Sequence, residues 1–190
     1  MSASSPPESA LYEAILSRRS YSRVTDAAPK RSELLHLIAA AGRIADHGSL
    51  SPWRLIALRG KARERLGSAL AKAARLNGDD ASSLAAKPLR APLLLAVVAS
   101  YVPSEKVPRW EQEAVTSGVA HMLSLLLDDA GWGVIWRTGP HTRAKAVAKM
   151  HGLGKDEELL GWLYVGGMPD RTRSSHTKKV TPSAFLTTLR

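Results

Sequence analysis

Three short stretches of the sequence combine cations, hydroxyls and aromatic side chains in a way that suits an anionic ligand. The first is residues 17–20, where Arg18 and Arg19 are followed by the hydroxyl of Ser20. Two fixed cations and a hydroxyl can converge on one phosphate. A second interpretation stays open, because a basic pair at the end of a helix also complements the helix dipole.

The second stretch is a polar loop that leads into a predicted strand. Arg43 is followed by residues 46–54, Asp-His-Gly-Ser-Leu-Ser-Pro-Trp-Arg, which include His47 and place Trp53 at the mouth of the strand. The loop could present Arg43 and His47 to a ligand. A capped helix end before a half-buried tryptophan explains the same residues equally well.

The third stretch ends a predicted strand in two hydrogen-bond donors and a tight turn. It spans residues 131–140, Gly-Trp-Gly-Val-Ile-Trp-Arg-Thr-Gly-Pro. A core strand explains its apolar part. It gives no reason for Arg137 and Thr138, which follow Trp136 directly, so we take these three residues as site candidates.

Other common catalytic arrangements are missing from the sequence. It has no cysteine, and therefore no disulfide, thiolate nucleophile or cysteine-bound metal. The Rossmann glycine fingerprint, the P-loop, the zincin motif and the nucleophile elbow are all absent. One S-x-x-K match, at residues 175–178, lies in the basic tail without its partner motifs and is read as a chance match. The six histidines show no ligand spacing with carboxylates, so we expect no metal site.

Length and composition predict one globular domain. A chain of 190 residues with 44% apolar content can bury a sizeable core, which excludes a disordered or fibrous protein. No apolar run approaches the roughly 18 to 20 residues of a membrane span. The N-terminal residues do not have the pattern of a secretory signal. We therefore expect a cytoplasmic protein that does not enter membranes.

The net charge of +10 permits an anionic partner without naming it. Residues 54–75 carry seven basic side chains against Glu64 alone, and residues 171–190 carry five with no carboxylate. A solvated basic surface, a phosphorylated cofactor and nucleic acid all fit this excess. Nucleic acid is the weakest of the three, because only 5% of the residues are aromatic and no recognition motif is visible.

Hydrophobic periodicity predicts the elements that position these stretches. A capping box at residues 5–8, with Pro6 at the first helical position, predicts a helix to Ser17 that buries Leu11 and Ile15. Further helices are predicted at about 32–44, 62–76, 80–87, 109–130 and 142–150, and strands at 55–58, 93–99, 134–136 and 159–165. The continuous apolar run 93–99 belongs at the centre of the sheet. We predict a single α+β domain over residues 1–190, with 169–190 as a C-terminal arm.

Taken together and in this order, the stretches resemble the FMN-dependent nitroreductase family, and within it the small subgroup of NAD(P)H nitroreductases. The likeness covers about residues 10–168. It rests on Arg-Arg-Ser at 18–20, the loop 46–54, Lys-Val-Pro-Arg-Trp-Glu-Gln-Glu at 106–113, Ile-Trp-Arg-Thr-Gly at 135–139 and Gly-Trp-Leu-Tyr-Val-Gly at 161–166. The resemblance implies a central, mostly antiparallel sheet flanked by helices, in an intertwined homodimer with both active sites at the interface.

The resemblance also implies roles for the candidate residues. Arg18 and Ser20 would hold the phosphate or ribityl end of FMN, and Arg19 would reach toward the flavin ring. The other implied FMN contacts, some of them from the partner chain, are Arg43, His47, Trp136, Arg137 and Thr138. The apolar content of the helix 109–130 exceeds what a lone domain needs, which separately favours a homodimer.

The activity implied by the resemblance is oxidoreduction through FMN. NAD(P)H would reduce the flavin and leave, and a small-molecule acceptor such as a nitroaromatic or quinone would take its place in a ping-pong cycle. No side chain is assigned as the proton donor, and the sequence does not choose between NADH and NADPH. The alternatives are a flavin-binding protein without turnover and a flavoenzyme for a dedicated metabolite.

Overall fold

The computed structural model describes residues 9–169 and 180–189. The helices are α1 (Ala10–Ser17), α2 (Arg31–Ala41), α3 (Lys61–Ala74), α4 (Gly78–Ala85), α5 (Arg109–Asp129) and α6 (Lys145–His151). The strands are β1 (Trp53–Leu58), β2 (Leu93–Ser100), β3 (Trp132–Arg137) and β4 (Glu157–Gly167). Single 3-10 turns lie at His47–Ser49, Lys87–Arg90 and Pro182–Ala184.

The four strands form one sheet in the order β1-β2-β4-β3, and every neighbouring pair is antiparallel. β2 and β4 therefore occupy the centre. Seven of the eight residues of β2 are buried, as expected for a strand covered on both faces. The prediction that residues 93–99 form a central strand is confirmed, and so is the α+β fold with a mostly antiparallel sheet flanked by helices.

Each face of the sheet has its own hydrophobic core, because alternate residues of a strand point to opposite faces. Leu93, Leu95 and Val97 of β2 pack with α2 and α5 on one face. Leu94 and Ala96 pack on the other face, with residues of α3 and α6. The end of β3 is thus reached from two sides, by α5 on one face and by α3 and α6 on the other.

Helix α1 differs from its prediction. Its described start is Ala10, and the Ser9 hydroxyl accepts a hydrogen bond from the Tyr12 N–H at 3.2 Å. The predicted capping box at 5–8 lies outside the described residues. The expectation that Leu11 and Ile15 are buried is wrong for the single chain, because they are 62% and 52% exposed. No other element of the described chain covers this apolar face.

The long helix α5 bears on a second expectation. Its inward side chains, among them Val119, Leu123 and Leu127, are buried in the core of their own chain. Trp110 and Met122 of the same helix stay 70% and 38% exposed. The core therefore uses only one side of α5, and the expectation of a dimer from this helix stays a prediction. No helix in the described part of the chain is both long enough and apolar enough to cross a membrane.

Candidate functional site

The segment after α1 carries the first candidate cluster and is fixed against the edge of the sheet. The Tyr21 N–H donates to the Val134 carbonyl of β3 at 3.0 Å, and the Thr25 N–H donates to the Gly167 carbonyl of β4 at 2.9 Å. The segment lies close enough to need bare backbone: a Cβ on Gly166 would lie 2.6 Å from Val24. These contacts place residues 18–20 beside the strand that carries Trp136 and Arg137.

The three side chains of this cluster do different things. Nη1 of Arg19 donates to the carbonyls at the end of α1, at 2.9 Å for Leu16, 2.7 Å for Ser17 and 3.1 Å for Arg18. Arg19 therefore satisfies the carbonyls that a helix end leaves open, which was the alternative interpretation of the basic pair. Arg18 and Ser20 are exposed and 3.4 Å apart, between Nη1 and Oγ. That pair remains available to a ligand.

An acidic side chain at the end of α5 lies behind this cluster. Burial raises the pKa of Asp128, and the lowering effects of the Arg19 backbone and of the Arg18 and Arg19 charges only partly oppose it. Its Oδ1 is buried without a hydrogen-bond partner among the described residues. The end of α5 therefore lies within electrostatic reach of the basic pair.

The third candidate stretch opens into a cleft of about 430 Å³ at the end of β3. The cleft lies on the face of the sheet that α3 and α4 cover. Its lining includes Trp136, Arg137 and Thr138 together with Leu70, Leu84, Lys87, Arg90, Ile135, Gly139, Pro140, His141, Thr142, Trp162 and Tyr164. None of these described lining residues is acidic, so the cleft favours an anionic or electron-rich ligand.

Among the lining residues that sequence reasoning did not assign to the site, three bear on its chemistry. Lys87 and Arg90 lie in the 3-10 turn before β2, and Tyr164 lies on β4. Burial raises the pKa of Tyr164, and the charges of Arg137 and Arg90 only partly oppose this shift, so both cations lie near its hydroxyl. A basic turn directly before a buried strand was the available signal, but only the tertiary fold brings it to β3.

Two buried donors at the end of β3 lack partners within the described part of the chain. They are Nε1 of Trp136 and Nε of Arg137. Buried polar atoms are nearly always hydrogen-bonded, so each orphan needs an explanation. A ligand or ordered water at the end of β3 supplies one.

The loop after β3 is tied to two other elements. Nη2 of Arg143 donates to Glu113 of α5 at 2.5 Å, and its Nη1 lies 2.9 Å from Oε2 of Glu158 in β4. Within the loop, the Gly139 N–H donates to the Thr142 hydroxyl at 2.9 Å. Thr138 therefore lies between two fixed parts of the chain, the strand β3 before it and the loop 139–143 after it. A second cleft, of about 480 Å³, lies on the α5 side of the same loop.

Arg43 and His47 are not among the residues that line the cleft at the end of β3. Both are exposed, and Nδ1 of His47 is 2.9 Å from Oε2 of Glu111 in the first turn of α5. The loop that follows is unusual, because Ser49 and Ser51 have φ angles of 52° and 47°. Left-handed backbone at non-glycine residues is uncommon and tends to occur at functional sites.

The structure thus divides the predicted contacts into two groups at opposite ends of α5. His47 is beside Glu111 in the first turn, and the basic pair is beside Asp128 in the last. At 1.5 Å per residue, Glu111 and Asp128 are about 25 Å apart along the helix axis. Arg43 and His47 are therefore not brought together with Arg18 and Ser20 in one chain. No cluster of three or more potential metal ligands occurs among the described residues.

The chain is similar to known proteins over most of its length. A family model described as "Nitroreductase family" matches residues 15–167. The Escherichia coli protein named "Putative NAD(P)H nitroreductase YdjA" is 33% identical over 178 residues, which cover 92% of this chain and 97% of that protein.

Two solved structures share the fold. A nitroreductase-like family protein from Bacillus cereus superposes with a TM-score of 0.78 at 21% identity, covering 96% of each chain. The FMN and NADPH-dependent nitroreductase NfnB from Sphigopyxis sp. strain HMH superposes with a TM-score of 0.72 at 18% identity, covering 95% of this chain and 99% of that one. The sheet, its flanking helices and the sequence likeness agree: the chain belongs to the nitroreductase family.

Proposed function

We propose that this protein is an FMN-dependent oxidoreductase that uses NAD(P)H to reduce small-molecule acceptors of the nitroaromatic or quinone type. The observation that carries the proposal is the cleft at the end of β3. It joins three cationic side chains, Lys87, Arg90 and Arg137, to a lining without a described carboxylate. Family membership and the YdjA relationship support the same reaction class.

The residues present fit FMN. Arg18 and Ser20 offer charged and neutral donors for a phosphate, and charge-assisted hydrogen bonds are the strong ones. The orphaned Nε of Arg137 and the backbone of Thr138 would face the ring system. Bound FMN would supply the electron and hydride exchange between NAD(P)H and the acceptor. Arg137 and its neighbouring cations would favour the negative charge that reduction brings.

We further propose that the two substrates use the site in turn. Hydride transfer requires reacting atoms within about 3 to 3.5 Å, so the two substrates cannot occupy the same flavin face together. Trp162 and Tyr164 are among the residues that line the cleft in which this exchange would take place. Kinetics should then be ping-pong, with parallel double-reciprocal lines.

We propose that the functional unit is a homodimer in which Arg43 and His47 of one protomer complete the site of the other. Three observations support this: the separation along α5, the uncovered apolar face of α1, and the C-terminal arm. Within residues 180–189 the arm exposes Phe185, Leu186 and Leu189 by 78%, 77% and 92%. In this proposal residues 1–190 form one domain, and the arm 169–190 packs on the partner.

The visible absorption spectrum tests the cofactor. We expect purified protein, with or without added FMN, to carry one flavin per chain. Anaerobic NADH or NADPH should bleach its absorption, and a nitroaromatic or quinone should restore it. A protein that neither carries flavin nor quenches FMN fluorescence on titration contradicts the proposal.

Three further outcomes of these experiments would change the proposed function or its kinetic order. Flavin that binds but is bleached by neither dinucleotide would favour a flavin-binding protein without turnover. Restoration by only one metabolite would favour a dedicated enzyme. Intersecting double-reciprocal lines would exclude the ping-pong order.

A further inference from the structure

A histidine–tryptophan pair is buried directly behind the cleft. His151, the last residue of α6, is 8% exposed, and Trp162 of β4 is 4% exposed. The Trp162 Nε1–H donates to Nε2 of His151 at 3.0 Å. On the other side of the ring, Nδ1 of His151 lies 2.8 Å from the Val147 carbonyl.

These two contacts define the protonation of the imidazole. Nδ1 faces a carbonyl, which only accepts, so Nδ1 carries the proton. Nε2 faces an N–H, so it accepts and is unprotonated. His151 is therefore neutral, and burial, which lowers its pKa, favours the same form.

Trp162 connects this pair to the candidate site. Its ring lines the cleft of about 430 Å³, and in the sheet register it is opposite Arg137 of β3. A tryptophan at this position can adopt two ring orientations that differ in where the N–H points. Only an orientation that reaches His151 satisfies the buried N–H, and leaving it unpaired is costly.

We propose that His151 is a positioning residue: by accepting the Trp162 N–H it fixes the orientation of the indole ring that lines the cleft, and so sets the shape available to the flavin. The inference rests on the proposed function for the identity of the ligand. The position of the indole ring itself does not depend on that ligand. An aliphatic side chain would fill the same core volume, but it would leave the ring free to turn.

The test compares two substitutions of His151. His151→Gln keeps an acceptor for the indole N–H, whereas His151→Leu removes it at similar volume. We expect His151→Leu to weaken FMN binding, measured by fluorescence quenching, by about tenfold. His151→Gln should stay within about threefold of wild type. The bound flavin's visible spectrum should shift in His151→Leu only.

A tryptophan variant isolates the hydrogen bond. Trp162→Phe removes the N–H, so His151→Leu in that background should cause no further loss of FMN affinity. Equal losses in both backgrounds would overturn the proposal. So would a folded His151→Leu protein with wild-type affinity and spectrum, whatever its thermal midpoint. If His151→Leu does not fold, a His151→Gln protein that binds FMN as weakly as Trp162→Phe overturns it.

A readout without flavin separates this inference from the proposed function. The near-ultraviolet circular dichroism of Trp162 is obtained as the difference between wild type and Trp162→Phe. This signal should be lost in His151→Leu and retained in His151→Gln. If wild type binds no FMN, the proposed function fails, and this signal still decides whether His151 orients the ring.

Discussion

A Cβ atom on Gly161 would lie 2.7 Å from the indole nitrogen of Trp136 and 2.6 Å from the carbonyl oxygen of Arg137. Gly161 has a φ angle of +136°, which side-chain-bearing residues rarely adopt, and it lies where the register of β4 against β2 shifts. The bare backbone of β4 therefore lets the end of β3 come close. The candidate flavin contacts depend on a glycine in the neighbouring strand.

Replacing Gly161 with alanine should damage the site and the fold together. The added methyl group must displace Trp136 or the β3 backbone, and the residue is strained at its φ angle. We expect a loss of about 1–3 kcal/mol in the free energy of unfolding, together with weaker FMN binding. Denaturant titration and fluorescence quenching measure the two effects. Gly154→Ala is the control, because its Cβ would meet only Glu157, at 3.7 Å.

Substitution of the two arginines after α1 should affect different properties, FMN affinity for Arg18 and stability for Arg19. Arg18→Ala should weaken FMN binding by about 1.5–3 kcal/mol, roughly ten- to a hundredfold, with little change in stability. Arg19→Ala should chiefly remove the carbonyl contacts at the end of α1 and cost about 0.3–1 kcal/mol of stability. Arg65→Ala, on the exposed side of α3, serves as control. Unchanged FMN affinity in Arg18→Ala would remove the phosphate role.

Mixed dimers test whether one site draws on two chains. Arg18→Ala and His47→Ala homodimers should each lose activity in both sites. After the two variants exchange subunits, each heterodimer regains one site with Arg18 from one chain and His47 from the other. Random exchange should restore about a quarter of wild-type activity. If mixing restores nothing while subunit exchange is verified by mass, the shared-site arrangement is wrong.

The ion pair between β1 and β4 predicts a particular acid sensitivity. Nε and Nη2 of Arg54 donate to Glu157 at 2.5 and 2.8 Å, and this contact lowers the pKa of Glu157 to about 2. The folded pKa is below the ordinary value of 4.5, so the stabilisation is complete above about pH 4.5 and is lost as the pH falls toward 2.

Glu157→Gln should therefore flatten the acid limb of the stability profile. At neutral pH we expect a loss of only about 1 kcal/mol, because Arg54 is partly exposed and solvent screens the pair. Thermal midpoints measured between pH 2 and 7 provide the comparison. Glu64→Gln on the exposed surface of α3 should leave the profile unchanged. An identical acid limb in Glu157→Gln would show that another carboxylate dominates.

Elements with strong local signals could be predicted from the sequence, and long-range placements could not. The run 93–99 is apolar throughout, so its central position followed directly. Helix α1 also has an apolar stripe, but no other element within residues 9–169 and 180–189 covers it. Hydrophobic periodicity cannot say what covers such a face. Lys87 and Tyr164 reach the cleft only because the chain order of the strands differs from their order in the sheet.

The uncovered face of α1 has a consequence for how the protein behaves on dilution. A helix of eight residues is marginal in water unless something packs against it. In the proposed dimer that packing comes from association, and residues 18–20 begin where α1 ends. Protomers that separate would fray the helix and release Arg18 and Ser20 from their place beside β3. Apparent FMN affinity should then fall as protein concentration drops below the dimer dissociation constant, and added FMN should tighten the dimer by the same free energy.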